Sequence, residues 1–335
     1  MDNLTHSLTG WALGQTGLKR KSRKGLAALI LGANMPDLDV FFGHSCWIPL
    51  ATHRGVTHSL VGGWIVMPPL LAAFLWLLDR WQMRRGVAFK SGLEMHAGWL
   101  LVLCYIGVLS HPLLDLQTTY SVQLLSPFSN RWFHTDTLFI IDLFLWFTLG
   151  FGIWLSRRKE RAAAWGADWH RPAIAAVSIA ATYILLNGAL TLAAREALIK
   201  QAGLRRSDAI YATIPPLAFW QRTLVYRDGG GNIGRVPWSP VGGLEAPAAL
   251  VPDNMRDPLV RRAAWSTPEM RTFMRWSTMP MARVERLPCK VRVHFSDARF
   301  GSGRRLFGRK MRNPFLHTIV LPVAGSGCVN KGYAG

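Results

Sequence analysis

Long apolar stretches separated by basic connections constrain this chain more than any other feature. A hydrocarbon core about 30 Å thick takes about 20 helical residues, and only structures that satisfy their own backbone can cross it. Residues 60–78, 97–116, 137–155 and 172–194 meet that length with few charges. A fifth stretch, 25–42, begins apolar but is interrupted by Asn34, Pro36, Asp37 and Asp39, and reads as a helix that enters the membrane and breaks near the far side. Residues 5–18 are helical in pattern yet too short to span, which suits a re-entrant or interfacial helix. The expected fold is a mainly α polytopic membrane domain over 1–194, with four to five spans plus a short N-terminal helix. A small strand-containing soluble domain over 195–335 follows.

The connections alternate in charge. Lys19 to Lys24 contribute five basic residues in six; Arg80, Arg84, Arg85 and Lys90 mark a second connection, and Arg157, Arg158, Lys159 and Arg161 a third. The intervening connections, 43–59 and 117–136, hold one arginine each. The positive-inside rule places the three basic connections in the cytoplasm and the other two outside. Five segments then put the C-terminal region outside as well. Trp132, Trp154 and Trp165 read as interfacial anchors.

In the C-terminal region, 223–226 and 291–295 alternate like strands, and Asp228-Gly229-Gly230-Gly231-Asn232 reads as a hairpin turn. The four cysteines form no CxxC pair, which removes zinc knuckles and thioredoxin-like motifs. Cys289 and Cys328 are the pair able to form a disulfide, provided this region lies outside the cytoplasm. A formal charge of +20 raises nucleic acid as a partner, but apolar runs break up the basic residues, so no nucleic acid is expected. The lipid bilayer, with anionic lipid at its surface, is the expected partner. The N-terminus lacks a basic region followed by an apolar core and a small-residue cleavage site, so insertion is expected to rest on the internal spans.

A short phrase occurs twice. Leu4-Thr5-His6-Ser7-Leu8-Thr9-Gly10 and Val56-Thr57-His58-Ser59-Leu60-Val61-Gly62 agree at five positions of seven, each at the start of an apolar segment. Thr5 and Thr57 read as N-caps, which puts each histidine in a first helical turn. Each phrase leads through a basic turn to a returning segment that ends in acid, at Pro36-Asp37-Leu38-Asp39 and at His111-Pro112-Leu113-Leu114-Asp115. The chain thus reads as two copies of one helical hairpin whose ionisable ends converge.

The spacings suit ligation of a metal. His111 and Asp115, four apart, share one helical face. Asp37 and Asp39, two apart after a proline, point the same way in extended backbone. His53 and His58 meet if Gly55 lets the loop fold back. Asp142 adds a carboxyl inside an apolar stretch, where an unpaired charge is costly. Asp136 reads equally well as a ligand or as the cap of a helix beginning at Thr137. Histidine and carboxylate without thiolate suit zinc, with manganese or iron as alternatives. The candidate ligands of one or two ions are His6, Asp37, Asp39, His53, His58, His111, Asp115 and Asp142. Such a centre activates water against an ester or phosphoester, with Arg54 for the substrate anion and Asp39 as a base.

Four ordered motifs carry a resemblance: Asp2-Asn3-Leu4-Thr5-His6-Ser7-Leu8, Gly32-Ala33-Asn34-Met35-Pro36-Asp37-Leu38-Asp39, His53-Arg54-Gly55-Val56-Thr57-His58-Ser59, and His111 through Asp115. Over about the first 145 residues the chain resembles the family of membrane-bound, metal-dependent hydrolases of the YdjM type. More loosely, residues 216–220 and the strands after them resemble that family's soluble tail. The resemblance implies a bacterial inner-membrane protein; a site at the membrane surface favours an amphipathic, lipid-like or lipid-linked substrate. Against it stand a membrane protein whose metal is structural or transported, and a transporter. The last ranks lowest, because the later apolar stretches offer almost no polar pathway.

Overall fold

The computed structural model describes residues 1–42, 53–89, 91–162, 168–205, 209–301, 305–306, 309–310 and 315–322. Lys90, Trp165 and Cys328 lie outside them. The chain divides into two compact units. The first comprises residues 1–194 with 212–222 and 239–241, and the second comprises 195–211, 223–238 and 242–335.

The first unit is helical. Helix α1, Asn3–Gln15, is followed by a basic turn and by α2, Gly25–Gly32. A π-helical segment, Leu60–Val66, runs into α3, Met67–Arg84; α4 is Ala97–Asp115, α5 Leu143–Ala162 and α6 Arg171–Ala202. Among the described residues three helical stretches are long and apolar enough to cross a membrane: Leu60–Arg84, Ala97–Asp115 and Arg171–Ala202. Val66, Leu70, Phe74, Leu77 and Trp81 form a stripe on the first of these that is 45–59% exposed, a surface that lipid suits and water does not.

A count of four to five spans is not confirmed among the described residues, and two of the expected stretches differ locally. In the 137–155 stretch, the Asp142 carboxylate accepts the Leu145 N–H at 3.1 Å and the helix starts only at Leu143, while Arg157 to Glu160 charge its other end. In the 25–42 stretch, α2 stops after eight residues, about 12 Å of rise. A tighter 3-10 segment, Met35–Phe42, takes over.

The basic connections meet at one end of this unit. Arg23 forks onto Asp79 with two contacts of 2.8 Å, and Lys19 reaches Glu160 at 2.6 Å. Below them two apolar cores form. One joins Leu29 of α2 to Leu75 of α3 and Leu103 of α4, and the other joins Ala12 of α1 to Leu149 of α5 and Tyr183 of α6.

The second unit is built on sheets. Strands β1 (Ile210–Thr213), β2 (Arg222–Arg227), β3 (Asn232–Ser239) and β4 (Gly243–Leu244) lie in sequence order, with β5 (Val251–Pro252) added to β3. The expected hairpin joins β2 to β3, closed by Asp228 N–H donating to the Asn232 carbonyl at 2.9 Å. Helices α7 (Pro258–Ala264) and α8 (Pro268–Trp276) precede the antiparallel pair β6 (Pro280–Leu287) and β7 (Lys290–Asp297). Two short strands, β8 (Arg305–Leu306) and β9 (Arg309–Lys310), pair together, and β10 (His317–Pro322) adds to β7. Cys289 is disulfide-bonded, and its partner lies outside the described residues.

Asp297 and Arg299 form a fully buried fork at 2.9 Å, roofed by the Trp276 ring 4.9 Å from the guanidinium, and Ser277 donates to Asp297 at 2.6 Å. Burial alone would raise the Asp297 pKa; the Arg299 charge and the hydrogen bonds outweigh it and hold the carboxyl below its usual range. The unfolded chain therefore takes up this proton first. The stabilisation is complete above about pH 4 and is lost as pH falls through the lower, folded value. Asp297→Asn should cost about 3–5 kcal/mol at neutral pH by stranding Arg299, and should flatten the acid dependence. Urea denaturation at pH 7 and pH 3 checks both, and an unchanged pH slope in the variant would count against the assignment.

Candidate metal centre

Three helices cross where a carbonyl is clasped between two glycines. A Cβ on Gly10 of α1 would meet the Leu29 carbonyl oxygen of α2 at 2.5 Å, and a Cβ on Gly107 of α4 would meet the same oxygen at 2.8 Å. No larger residue permits this approach. Four residues from each of these contacts, about one helical turn, stand His6, Ala33 and His111. The His111 Nδ1–H donates to the Ala33 carbonyl at 2.6 Å, and the His6 ring stacks on His111 with centroids 3.6 Å apart. The glycine of the repeated phrase thus has a packing role. Its second copy, Gly62, is equally confined, its Cβ position pressing on the Val56 carbonyl oxygen.

Four buried ligand atoms converge above this crossing: Asp37 Oδ1, His58 Nε2, His111 Nε2 and Asp115 Oδ2. The two nitrogens are 3.0 Å apart. His58 Nε2 lies 3.4 Å from both carboxylate oxygens, and His111 Nε2 lies 3.1 Å from Asp37 and 3.6 Å from Asp115. A tetrahedral ion with bonds of about 2.0 Å has ligand separations of about 3.3 Å; these five lie close to that value, and all four atoms lie within 4.8 Å of one another, so the group could hold a metal ion.

The hydrogen bonds on the far sides of the rings decide what faces inward. His111 donates through Nδ1, which leaves a lone pair on Nε2. The Thr57 hydroxyl donates to Asp39 Oδ2 at 2.5 Å and lies 3.0 Å from His58 Nδ1, so it accepts from that nitrogen, and His58 too presents an Nε2 lone pair. Burial drives the His58 pKa well below the ordinary imidazole range, in keeping with a neutral ring. Asp37 Oδ1 and Asp115 Oδ2 accept no aligned hydrogen bond among the described residues. Two imidazole lone pairs and two carboxylate oxygens aimed at one point repel one another, and a cation between them would relieve that repulsion.

Arg54 and Met1 flank the cluster. The Arg54 Nε lies 3.0 Å from Asp115 Oδ2 and its Nη1 donates to Thr118 at 3.1 Å; burial lowers its pKa to about 10, which keeps it charged at neutral pH. The Met1 ammonium pairs with Asp115. His53 holds Asp39 Oδ1 through Nδ1 at 2.8 Å and sets Nε2 3.6 Å from Asp37.

Of the sequence candidates, Asp37, His58, His111 and Asp115 come together as one group. His6 and His53 stand beside it. Asp39 is turned away, because Pro36 is followed by 3-10 helix and not by extended backbone; at three residues per turn, positions two apart diverge. Asp142 does not reach the group: it accepts from Leu145 and from the Tyr183 hydroxyl at 2.9 Å. Asp136 is buried against His134 and the Ala212 N–H, and no helix starts at Thr137. The threonines are not the caps. Asp2 caps α1, as a carboxylate suits a helix N-terminus, and Ser59 caps the segment from Leu60. Thr57 instead links His58 to Asp39, a role its position beside the histidine hinted at and the capping pattern concealed.

The model of the YdjM inner membrane protein family matches residues 1–194, the stretch that supplies every residue of this cluster. The chain belongs to the YdjM family. No curated protein and no solved structure matches it. Membership carries membrane residence. In this chain the donor set itself, two imidazoles and two carboxylates, could hold a metal ion.

Proposed function

We propose that this chain is a metal-dependent hydrolase of the bacterial inner membrane that cleaves an ester or phosphoester of an amphipathic, lipid-like or lipid-linked substrate. The observation that carries the reading is the convergence of four buried ligand atoms with inward lone pairs. Asp37, His58, His111 and Asp115 hold one divalent ion, zinc by donor type, with manganese or iron as alternatives. Such an ion supplies Lewis acidity and lowers the pKa of water. His53, its Nδ1 held by Asp39, presents Nε2 beside the cluster and is the group best placed to take a proton. Asp39 also positions His58 through Thr57. The Arg54 charge lies where an anionic oxygen would develop.

Orientation follows from charge. The basic connections share one end of the helical unit, which the positive-inside rule assigns to the cytoplasm, and the cluster lies toward the other. The disulfide at Cys289 supports an oxidising compartment for the second unit.

A second reading has its own support. Four protein ligands around one ion is the ligand count of a closed, structural metal site. Cobalt substitution in detergent separates the two. In the catalytic reading, azide or phosphate shifts the visible absorption of the cobalt protein, and the zinc protein hydrolyses ester or phosphoester lipid analogues. An unchanged spectrum together with no hydrolysis rejects the hydrolase and leaves a structural ion.

A further inference from the structure

At the basic end, away from the metal cluster, a cleft of about 560 Å³ opens between α1 and α5. Its α5 wall is one helical face. Gly150, Ile153 and Trp154 come first, and Arg157, Arg158 and Arg161 continue the same three-and-four spacing. The face is therefore divided along the helix axis, apolar and then cationic, which matches a lipid's tail and headgroup. Leu8 and Trp11 of α1 form the opposite wall.

The three guanidiniums are not spent on carboxylates. Arg157 lies over the Trp11 ring at 5.1 Å and Arg158 over Trp154 at 5.6 Å, while the adjacent Glu160 is taken by Lys19 and Arg20. Among the described residues no ion pair engages any of the three. Beside the cleft, Phe147 and Phe151 of α5 are 73% and 61% exposed, so this side of the helix faces an apolar medium.

We propose that this cleft is a binding site for an anionic phospholipid of the cytoplasmic leaflet, with the phosphate at Arg157, Arg158 and Arg161 and an acyl chain along Gly150 and Ile153. The site does not depend on the metal or on hydrolysis. Diffuse attraction of basic residues to an anionic surface needs no cleft, and Gly150 tells the two apart. A Cβ there meets nothing within 4 Å, so Gly150→Leu starts from open space and puts a side chain where the acyl chain would lie.

The test is native mass spectrometry of the delipidated full chain in detergent, titrated with phosphatidylglycerol and phosphatidylcholine. Each arginine near a headgroup is expected to contribute about a fivefold preference. Wild type should favour phosphatidylglycerol by at least about tenfold. Arg157→Gln with Arg158→Gln and Arg161→Gln should bring the ratio near one, and Gly150→Leu should abolish tight adducts with the arginines intact. An unchanged melting temperature and gel-filtration profile show that both variants are folded. Equal binding of the two lipids by wild type, full binding by Gly150→Leu, or displacement by millimolar inorganic phosphate would each overturn the site.

Discussion

His58→Ala is expected to abolish metal binding in detergent-purified protein, taking the content from about one ion per chain to near zero, and Asp115→Ala is expected to do the same. His58 lies within 3.4 Å of each of the other three ligand atoms and comes from a different segment than any of them. Its loss leaves two carboxylates and one imidazole, and water must fill the fourth position. Changes to groups that merely orient a ligand already lower metal affinity about 10–100-fold, so loss of a ligand exceeds that range. Asp115 contributes charge as well, and its removal strands Arg54. Metal analysis after gel filtration reads the result. Wild type without metal, or both variants with wild-type content, would refute the ligand assignment. His96→Ala, outside the cluster, should keep its ion.

Gly107→Ala should be nearly as damaging, although no ligand is touched. The added carbon would lie 2.8 Å from the Leu29 oxygen and 2.9 Å from the Ala28 oxygen, both backbone atoms with no rotamer to retreat into. Overpacking of this kind costs about 1–3 kcal/mol, and at about 2–4 °C per kcal/mol the melting temperature falls by several degrees. The diagnostic part is coupled loss of metal. Separating α2 from α4 moves Ala33 from His111 and breaks the bond that fixes the ring. Gly98→Ala, on the same helix with nothing within 4 Å of its Cβ position, is the control and should leave both properties unchanged. If Gly107→Ala melts early yet keeps its metal, the crossing does not set the site.

The parts of this site legible in the sequence were those written in residue type and helical spacing. His111 and Asp115 announced themselves by a four-residue step inside an apolar run, and Asp37 and His58 by their place in a repeated phrase. What failed needed knowledge of local backbone. A proline before Asp37 is compatible with extended chain or with 3-10 helix, and the choice sends Asp39 to the ion or away from it. Asp142 looked too costly to be idle in hydrocarbon; a helix end and the Tyr183 hydroxyl satisfy it. The glycine clasp at Leu29 was invisible because its meaning lies in two helices far apart in sequence. The span expected over 137–155 is not confirmed for a related reason, since the helix starts only after the capping carboxylate of Asp142 and leaves Leu138, Phe139, Ile140 and Ile141 outside it.

The lengths of α1 and α4 set the depth of the chemistry. From the cap of α4 at His96 to His111 the helix climbs about 22 Å at 1.5 Å per residue, against a hydrocarbon core of about 30 Å. With the basic end at one interface, the proposed metal site would fall several ångströms short of the other, below the surface where free solutes arrive. That level lies among the acyl chains, a few ångströms beneath the linkages that join a lipid's headgroup to them. A substrate already embedded in the bilayer would meet the site by sideways diffusion, whereas a water-soluble ester would have to leave water to reach it.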